Sequence, residues 1–110
     1  MNLFMKREGK MVITETMLEH TLCLDSRYIE AAIEVLKDKF LYINENFIKI
    51  QSCFNIDEHE DFEFTEYACT LEGLMLLISE LREIGVKISN KKVIELQVAY
   101  INDIQEKGWK

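Results

Sequence analysis

The fold depends above all on how residues 21–50 are organised, because their apolar side chains fit two incompatible patterns. These side chains recur at intervals of four and three, which is the heptad pattern of one long helix in a coiled coil or bundle. The positions are Ile29, Ile33, Leu36, Phe40, Ile43, Phe47 and Ile50. The same segment also fits a helix that is followed by a β-hairpin. The two interpretations lead to an all-helical bundle or to a mixed fold.

Local composition favours the hairpin in residues 40–51, FLYINENFIKIQ. Aromatic and β-branched residues dominate its two apolar runs, and such residues prefer strands to helices. Asn44, Glu45 and Asn46 separate the two runs, and asparagine tolerates the positive φ angles of tight turns. We therefore predict a mostly α-helical fold with a small β-hairpin at 40–51. An all-α helical bundle remains the alternative.

Two helices are predicted before this hairpin. Residues 14–22 form a short helix for which Thr14 can serve as the N-cap. A turn at 23–24 separates it from a second helix, which runs from about residue 26 to residue 37 or 39. Residues 1–10 are predicted to form a flexible arm or a first helix. The buried side of the second helix is predicted to contain Ile29, Ala32, Ile33 and Leu36.

Two further helices are predicted towards the C-terminus, over residues 65–84 and 89–107. The apolar face of the last helix is broader than a single core requires, since a second row of aliphatic residues lies beside the first. This breadth predicts that the helix also packs against a second subunit, which makes the protein a homodimer. The first row is Val93, Leu96, Tyr100 and Ile104, of which Leu96, Tyr100 and Ile104 are the predicted dimerisation residues; the second row is Ile94, Val98 and Ile101.

Negative charge is concentrated in one short segment of the chain. The formal net charge is −7, and residues 57–66, DEHEDFEFTE, carry six acidic residues and no basic one. We predict that this segment is a solvated acidic loop, or a site for a basic protein partner. With 110 residues, 48% of them hydrophobic, the chain is expected to form a single domain. Its predicted parts are a core at 13–56, the acidic loop at 57–66 and a helical pair at 67–110.

Several classes of protein are disfavoured by what the sequence lacks. The longest aliphatic run is LMLLI at 74–78, so no membrane span is predicted, and the N-terminus has no apolar segment typical of a secretory signal. The three cysteines form no C-x-x-C pair, which is typical of reduced thiols in a cytoplasmic protein. No metal-ligand set, catalytic constellation or glycine-rich phosphate loop is recognisable. We therefore predict a non-enzymatic protein without a cofactor.

Residues 13–50 combine a short helix, a Leu-x-Leu-Asp turn, a helix with apolar residues at i, i+4 and i+7, and FLYI at the start of the predicted hairpin. This combination resembles a winged helix-turn-helix, in particular the N-terminal domain of phage replisome organisers. A second stretch, YACTLEG at 67–73, is similar to the Y-x-L-T-x-E-G stretch that follows the wing in many small winged-helix regulators. Small dimeric winged-helix adaptors of phage and plasmid partition systems have a comparable size. The main resemblance covers about a third of the chain.

The resemblance implies a DNA-binding protein of phage or plasmid type, with a role in transcription, replication or partition. Helix 26–37 would contact double-stranded DNA together with the wing at 40–51. The residues implied in DNA binding are Ser26, Arg27, Tyr28, Ala31, Lys37, Asn46 and Lys49. The alternative is a protein-binding module or an inhibitor that mimics nucleic acid and acts through the acidic segment. The net charge favours this alternative, and so do Glu30 and Glu34, which lie on the exposed side of the same helix.

Overall fold

The computed structural model describes residues 3–39, 45–55 and 61–106. These residues form four helices and one antiparallel sheet of four strands. The elements in chain order are β1 (Met5–Arg7), β2 (Lys10–Thr14), α1 (Glu15–Leu22), α2 (Ser26–Lys39), β3 (Phe47–Asn55), β4 (Asp61–Cys69), α3 (Leu71–Glu83) and α4 (Asn90–Glu106). The strand order in the sheet is β1-β2-β4-β3. The fold is therefore mixed α/β, and the all-helical alternative is wrong.

The first strands form a tight hairpin where a flexible arm or a helix was predicted. Strand β1 pairs with β2, and the last pair, Arg7 with Lys10, leaves a loop of two residues. Both loop residues have positive φ angles, 49° at Glu8 and 76° at Gly9. Such a loop matches the right-handed twist of the two strands, and glycine adopts a positive φ without steric cost. Gly9 was the signal in the sequence for this turn.

Helices α1 and α2 are arranged as predicted. The Thr14 hydroxyl accepts a hydrogen bond from the backbone N–H of Met17, 3.2 Å away, so Thr14 is the N-cap of α1. Cys23 ends α1 in a left-handed conformation with a φ of 55°, which turns the chain towards α2. The buried residues of α2 are those expected from its apolar spacing, namely Ile29, Ala32, Ile33 and Leu36.

The second hairpin is longer than predicted and lies later in the chain. Strand β3 pairs with β4 along its whole length, from Phe47 opposite Cys69 to Asn55 opposite Asp61. The prediction of a turn at 44–46 is wrong at Asn46, which directly precedes β3 at the open end of this hairpin; residues 40–44 lie outside the described part of the chain. The predicted acidic loop is wrong over residues 61–66, and so is the predicted start of a helix at Thr65, because residues 61–69 form β4. Residues 56–60, between the two strands, lie outside the described part.

Strand β4 connects the two hairpins into one sheet and positions the helices. It pairs with β2 through Ile13 opposite Cys69 and Thr14 opposite Ala68. Side chains alternate between the faces of a strand, so one face of the sheet packs on the helices and the other carries a small cluster around Val12, Ile50 and Ala68. The main core is contributed by the sheet and by all four helices; among its members are Phe4, Ile13, Leu18, Ile29, Ile33, Phe47, Leu74, Leu77, Leu81 and Leu96.

Candidate nucleic-acid interface

The exposed side of α2 and the neighbouring end of the β3–β4 hairpin enclose one open cleft. Its volume is about 460 Å³. Helix α2 forms one wall, the two strands of the hairpin form the other, and the first turn of α1 closes one end. The lining residues are Glu15, Arg27, Glu30, Ala31, Glu34, Lys49, Thr65, Glu66 and Tyr67. The structure thus brings Arg27 and Ala31 of α2 together with Lys49 of β3, three of the residues that the resemblance implies in DNA binding.

Arg27 is held at the start of α2 by the residue that caps the helix. Its Nε and Nη2 atoms donate to the two carboxylate oxygens of Asp25 at 3.2 and 3.1 Å, and its backbone N–H donates to the same carboxylate at 2.9 Å. The Arg27 guanidinium lowers the pKa of Asp25, and the carboxylate raises the pKa of Arg27. The Arg27 side chain is still 85% exposed. It can therefore reach a ligand outside the protein while its orientation is restricted by Asp25.

Ser26 and Tyr28 flank Arg27 and differ in what they offer to a ligand. A backbone N–H at a helix N-terminus, such as that of Ser26, can donate to a phosphate oxygen. In the structure this N–H donates to a carboxylate oxygen of Glu19, 3.2 Å away. Glu19 thus occupies the place expected for a phosphate. Tyr28 is half exposed, at 53% of its maximal surface, and remains accessible to a partner.

The side chain of Tyr67, which the sequence analysis did not identify, contacts three charged residues of this face. The ammonium groups of Lys37 and Lys49 each lie 5.1 Å from the centroid of the Tyr67 ring, within the range of a cation–π contact. The Tyr67 hydroxyl donates a hydrogen bond to a carboxylate oxygen of Glu34. Burial, together with this carboxylate, raises the pKa of Tyr67 to about 12, so the phenol remains protonated at neutral pH. Tyr67, on β4, therefore contacts Glu34 and Lys37 of α2 and Lys49 of β3.

Asn46 does not belong to this face. It was predicted at the tip of the wing, whereas it lies at the other end of the hairpin, beside the start of α3. Its backbone carbonyl accepts from the N–H of Thr70 at 3.0 Å, and its side-chain oxygen accepts from the Thr70 hydroxyl at 2.8 Å. Asn46 is thus a structural residue that fixes the base of the hairpin to the following helix.

Carboxylates lie among these basic residues, and two of them are buried. Glu15 is 5% exposed and accepts a hydrogen bond from the backbone N–H of Tyr67 at 2.8 Å. Burial raises its pKa to about 7, with further contributions from a hydrogen bond to Glu30 and from the charge of Glu66. Glu66 accepts hydrogen bonds from the backbone N–H and the hydroxyl of Thr16, both at 2.8 Å, at the start of α1. Glu15 and Glu66 therefore tie α1 to the hairpin.

The cleft consequently carries charges of both signs. Arg27 and Lys49 line it with positive charge, and Glu30 and Glu34 of α2 line it with negative charge. Lys37 is not a lining residue, but its ammonium group lies against the Tyr67 ring. Within residues 3–39, 45–55 and 61–106, no group of three or more histidine, cysteine or acidic side chains is arranged to hold a metal ion. None of the helices described there is long and apolar enough to cross a membrane. The arrangement offers the donors of Arg27 and the ammonium groups of two lysines to an anionic ligand.

The residues predicted to form a dimer interface contribute to the protein's own core. Leu96 is fully buried there, and Tyr100 packs edge-on against the ring of Phe4 with 5.1 Å between the ring centroids. Ile104 is half buried against the same core. Leu96, Tyr100 and Ile104 are therefore structural residues of the single chain. The neighbouring row on α4, formed by Ile94, Val98 and Ile101, remains about half exposed.

Comparison of the chain with family models, with curated proteins and with solved structures gives no match.

Proposed function

We propose that the protein binds double-stranded DNA as a winged helix-turn-helix, with α2 as the recognition helix and the β3–β4 hairpin as the wing. The observation that carries the proposal is the path of the chain. Strand β2 leads into α1, the turn at Cys23 leads into α2, and the hairpin that follows returns its second strand to pair with β2. This path places α2 and the hairpin side by side around one cleft, as the winged-helix resemblance implies.

The dimensions and side chains of α2 suit the major groove. A helix of 14 residues is about 21 Å long, and the major groove of B-DNA, about 12 Å wide, accepts a helix. Arg27 would donate to a guanine edge or a phosphate, and Ala31 would contact the methyl group of a thymine. Lys37 and Lys49 would bind the phosphate backbone on the side of the hairpin. Glu30 and Glu34 would oppose phosphate and favour cytosine, whose amino group donates to a carboxylate.

The first test is binding to a labelled DNA fragment from upstream of the protein's own gene, across a series of salt concentrations. The two phosphate contacts of Lys37 and Lys49 in each copy predict a log–log slope of about −2 with salt. Arg27→Ala is expected to weaken binding about tenfold or more, since one charged contact to a base edge is worth roughly 1–3 kcal/mol. Lys87→Ala is the matched control, because this exposed lysine lies outside the cleft. Unchanged affinity in Arg27→Ala would remove Arg27 from the interface, and no binding even at low salt would reject the proposal.

A second candidate function, the recognition of a basic protein segment, is favoured by the carboxylates of the same face. Glu30 and Glu34 on α2, and Asp61 and Glu63 on β4, present negative charge to a partner. The double variant Glu30→Gln/Glu34→Gln separates the two functions because it changes them in opposite directions. It should strengthen binding to DNA, from which two repulsive charges are removed, and weaken binding to a lysine-rich probe peptide. Glutamine keeps an acceptor for the Tyr67 hydroxyl, so the fold is expected to persist.

A further inference from the structure

The outward surface of α4 is apolar along a single row. Ile94, Val98 and Ile101 expose 57%, 48% and 53% of their surfaces, while Leu96, two residues from Ile94 and from Val98, is fully buried. Isoleucine and valine side chains that stay half exposed at i, i+4 and i+7 leave apolar area in contact with water. The same intervals extend to Lys91 on one side and Gln105 on the other. The row therefore has the 3,4,3,4 spacing with which helices pack against each other along a seam.

The charges at the two ends of this row select one type of partner. The first turn of α4 carries Lys91 and Lys92 and no acidic residue, whereas its last turn carries Glu106 and no basic residue. This distribution is unfavourable within the helix itself, because a helix N-terminus attracts negative charge and a C-terminus positive charge. A second helix that runs antiparallel places its C-terminal end beside Lys91. A parallel helix of the same sequence would place Lys91 beside another Lys91.

We propose that the outward row of α4 binds the same row of a second copy of the protein, in antiparallel orientation, with the two-fold axis at Val98. In this arrangement Val98 faces Val98, Ile94 packs near Ile101 of the other copy, and Lys91 lies near Gln105 and the helix C-terminus. A symmetric contact of this kind closes at two copies, because each copy uses the same surface. The dimer does not depend on DNA, whereas its effect on DNA affinity rests on the proposed function.

The size of the contact predicts how firmly the two copies are held. Helix α4 has 17 residues and is therefore about 25 Å long. A contact confined to one such helix per copy falls at or below the roughly 1,200 Å² that separates weak from stable interfaces. We therefore expect a dimer that dissociates on dilution. Two copies joined in this way would present two α2 helices to one DNA molecule, which would raise the apparent affinity without any new type of contact.

Sedimentation velocity over a dilution series, in the absence of DNA, tests the proposal directly. The unmodified protein is expected to shift from dimer to monomer as it is diluted. Val98→Glu should weaken dimerisation about tenfold or more, because it places two carboxylates in contact at the axis. Ile84→Glu is the matched control, since Ile84 is 52% exposed and lies outside α4. A protein that is monomeric at every concentration, or a Val98→Glu variant that dimerises like the unmodified protein, would overturn the proposal.

Oxidative cross-linking tests the orientation and does not require the disruptive variant to fold. Cys23 and Cys53 are exposed, so both are first replaced by serine. Lys91→Cys and Gln105→Cys are then made in separate chains. The antiparallel arrangement predicts a disulfide only when the two variants are mixed, because identical positions lie about 21 Å apart. A disulfide between two Lys91→Cys chains would instead indicate a parallel pair, and the absence of any disulfide in the mixture would also contradict the proposal.

Loss of DNA binding alone would leave both measurements unchanged and would count only against the proposed function.

Discussion

At the scale of single residues, Glu15 makes stability depend on pH. Its carboxyl group is buried beside Glu30 of α2 and beside Glu66 and Tyr67 of β4, and its pKa is raised from 4.5 to about 7. The unfolded chain ionises Glu15 at lower pH than the folded chain does, so the stabilisation by the bound proton is present below about pH 4.5 and is lost as pH rises through 7. We therefore expect the contribution of Glu15 to the free energy of unfolding to fall over this interval.

Glu15→Gln tests this dependence with little change of shape. Glutamine retains an oxygen for the Tyr67 N–H and an N–H₂ group that can donate to Glu30, but it does not ionise. At pH 8 the variant should be more stable than the unmodified protein by up to about 3 kcal/mol, and the difference should shrink towards pH 4.5. Urea unfolding at several pH values measures both effects. A difference that is independent of pH would show that Glu15 titrates normally.

The candidate site was predictable only where its residues depend on local sequence. Arg27 and Ala31 follow from the periodicity of α2, because the side opposite the apolar stripe must face outwards. Tyr67, Glu15 and Glu66 could not be found in this way. Their positions depend on the pairing of β3 with β4, and YAC at 67–69 was assigned to a helix. The prediction for Asn46 failed for the same reason, since the end of the hairpin that carries the turn was misplaced.

At the scale of elements, Gly73 determines how α3 meets the second hairpin. A Cβ atom at this position would lie 2.7 Å from the backbone oxygen of Asn46. That oxygen accepts a hydrogen bond from the N–H of Thr70 and cannot move away without breaking it. We expect Gly73→Ala to lower the free energy of unfolding by about 1–3 kcal/mol, despite the higher helix propensity of alanine. Thermal unfolding checks this, with Glu72→Ala as the control, because Glu72 lies in the same helical turn but is exposed. A Gly73→Ala variant more stable than the unmodified protein would show that the backbone of Asn46 can move away from the added methyl group.

The helices were more accessible to sequence reasoning than the strands. Caps and apolar spacing locate α1, α2 and α4 to within a residue or two, since these signals arise within each helix. Strand β4 was not predicted because it begins with DFEFTE, a composition that indicates a solvated loop. In addition, its stabilising contacts come from the neighbouring strands β3 and β2. Such contacts are distant in sequence and depend on context, so propensity alone does not reveal them.

At the scale of the whole molecule, a hydrogen bond joins the residue before β1 to the last described helix, α4. The backbone N–H of Phe4 donates to a carboxylate oxygen of Asp103, 2.9 Å away, and both residues are buried. Asp103→Ala would leave this N–H without its acceptor, which costs about 1–3 kcal/mol of stability. Asp103→Asn retains an acceptor oxygen and should lose less. Urea unfolding of the two variants measures the difference. Equal losses would show that the charge of Asp103, rather than its bond to Phe4, stabilises the fold.

The contact between Phe4 and Asp103 also bears on how the protein is made in the cell. The two residues are 99 positions apart. A ribosome that adds about 5–20 residues per second needs roughly 5–20 s to reach Asp103 after Phe4 has been incorporated. During this time the backbone N–H of Phe4 lacks the Asp103 carboxylate that accepts from it, and the phenyl ring of Phe4 lacks the Tyr100 ring that packs against it. The emerging N-terminal hairpin therefore stays incomplete until Asp103 has been translated, and throughout this interval it offers an apolar side chain to chaperones.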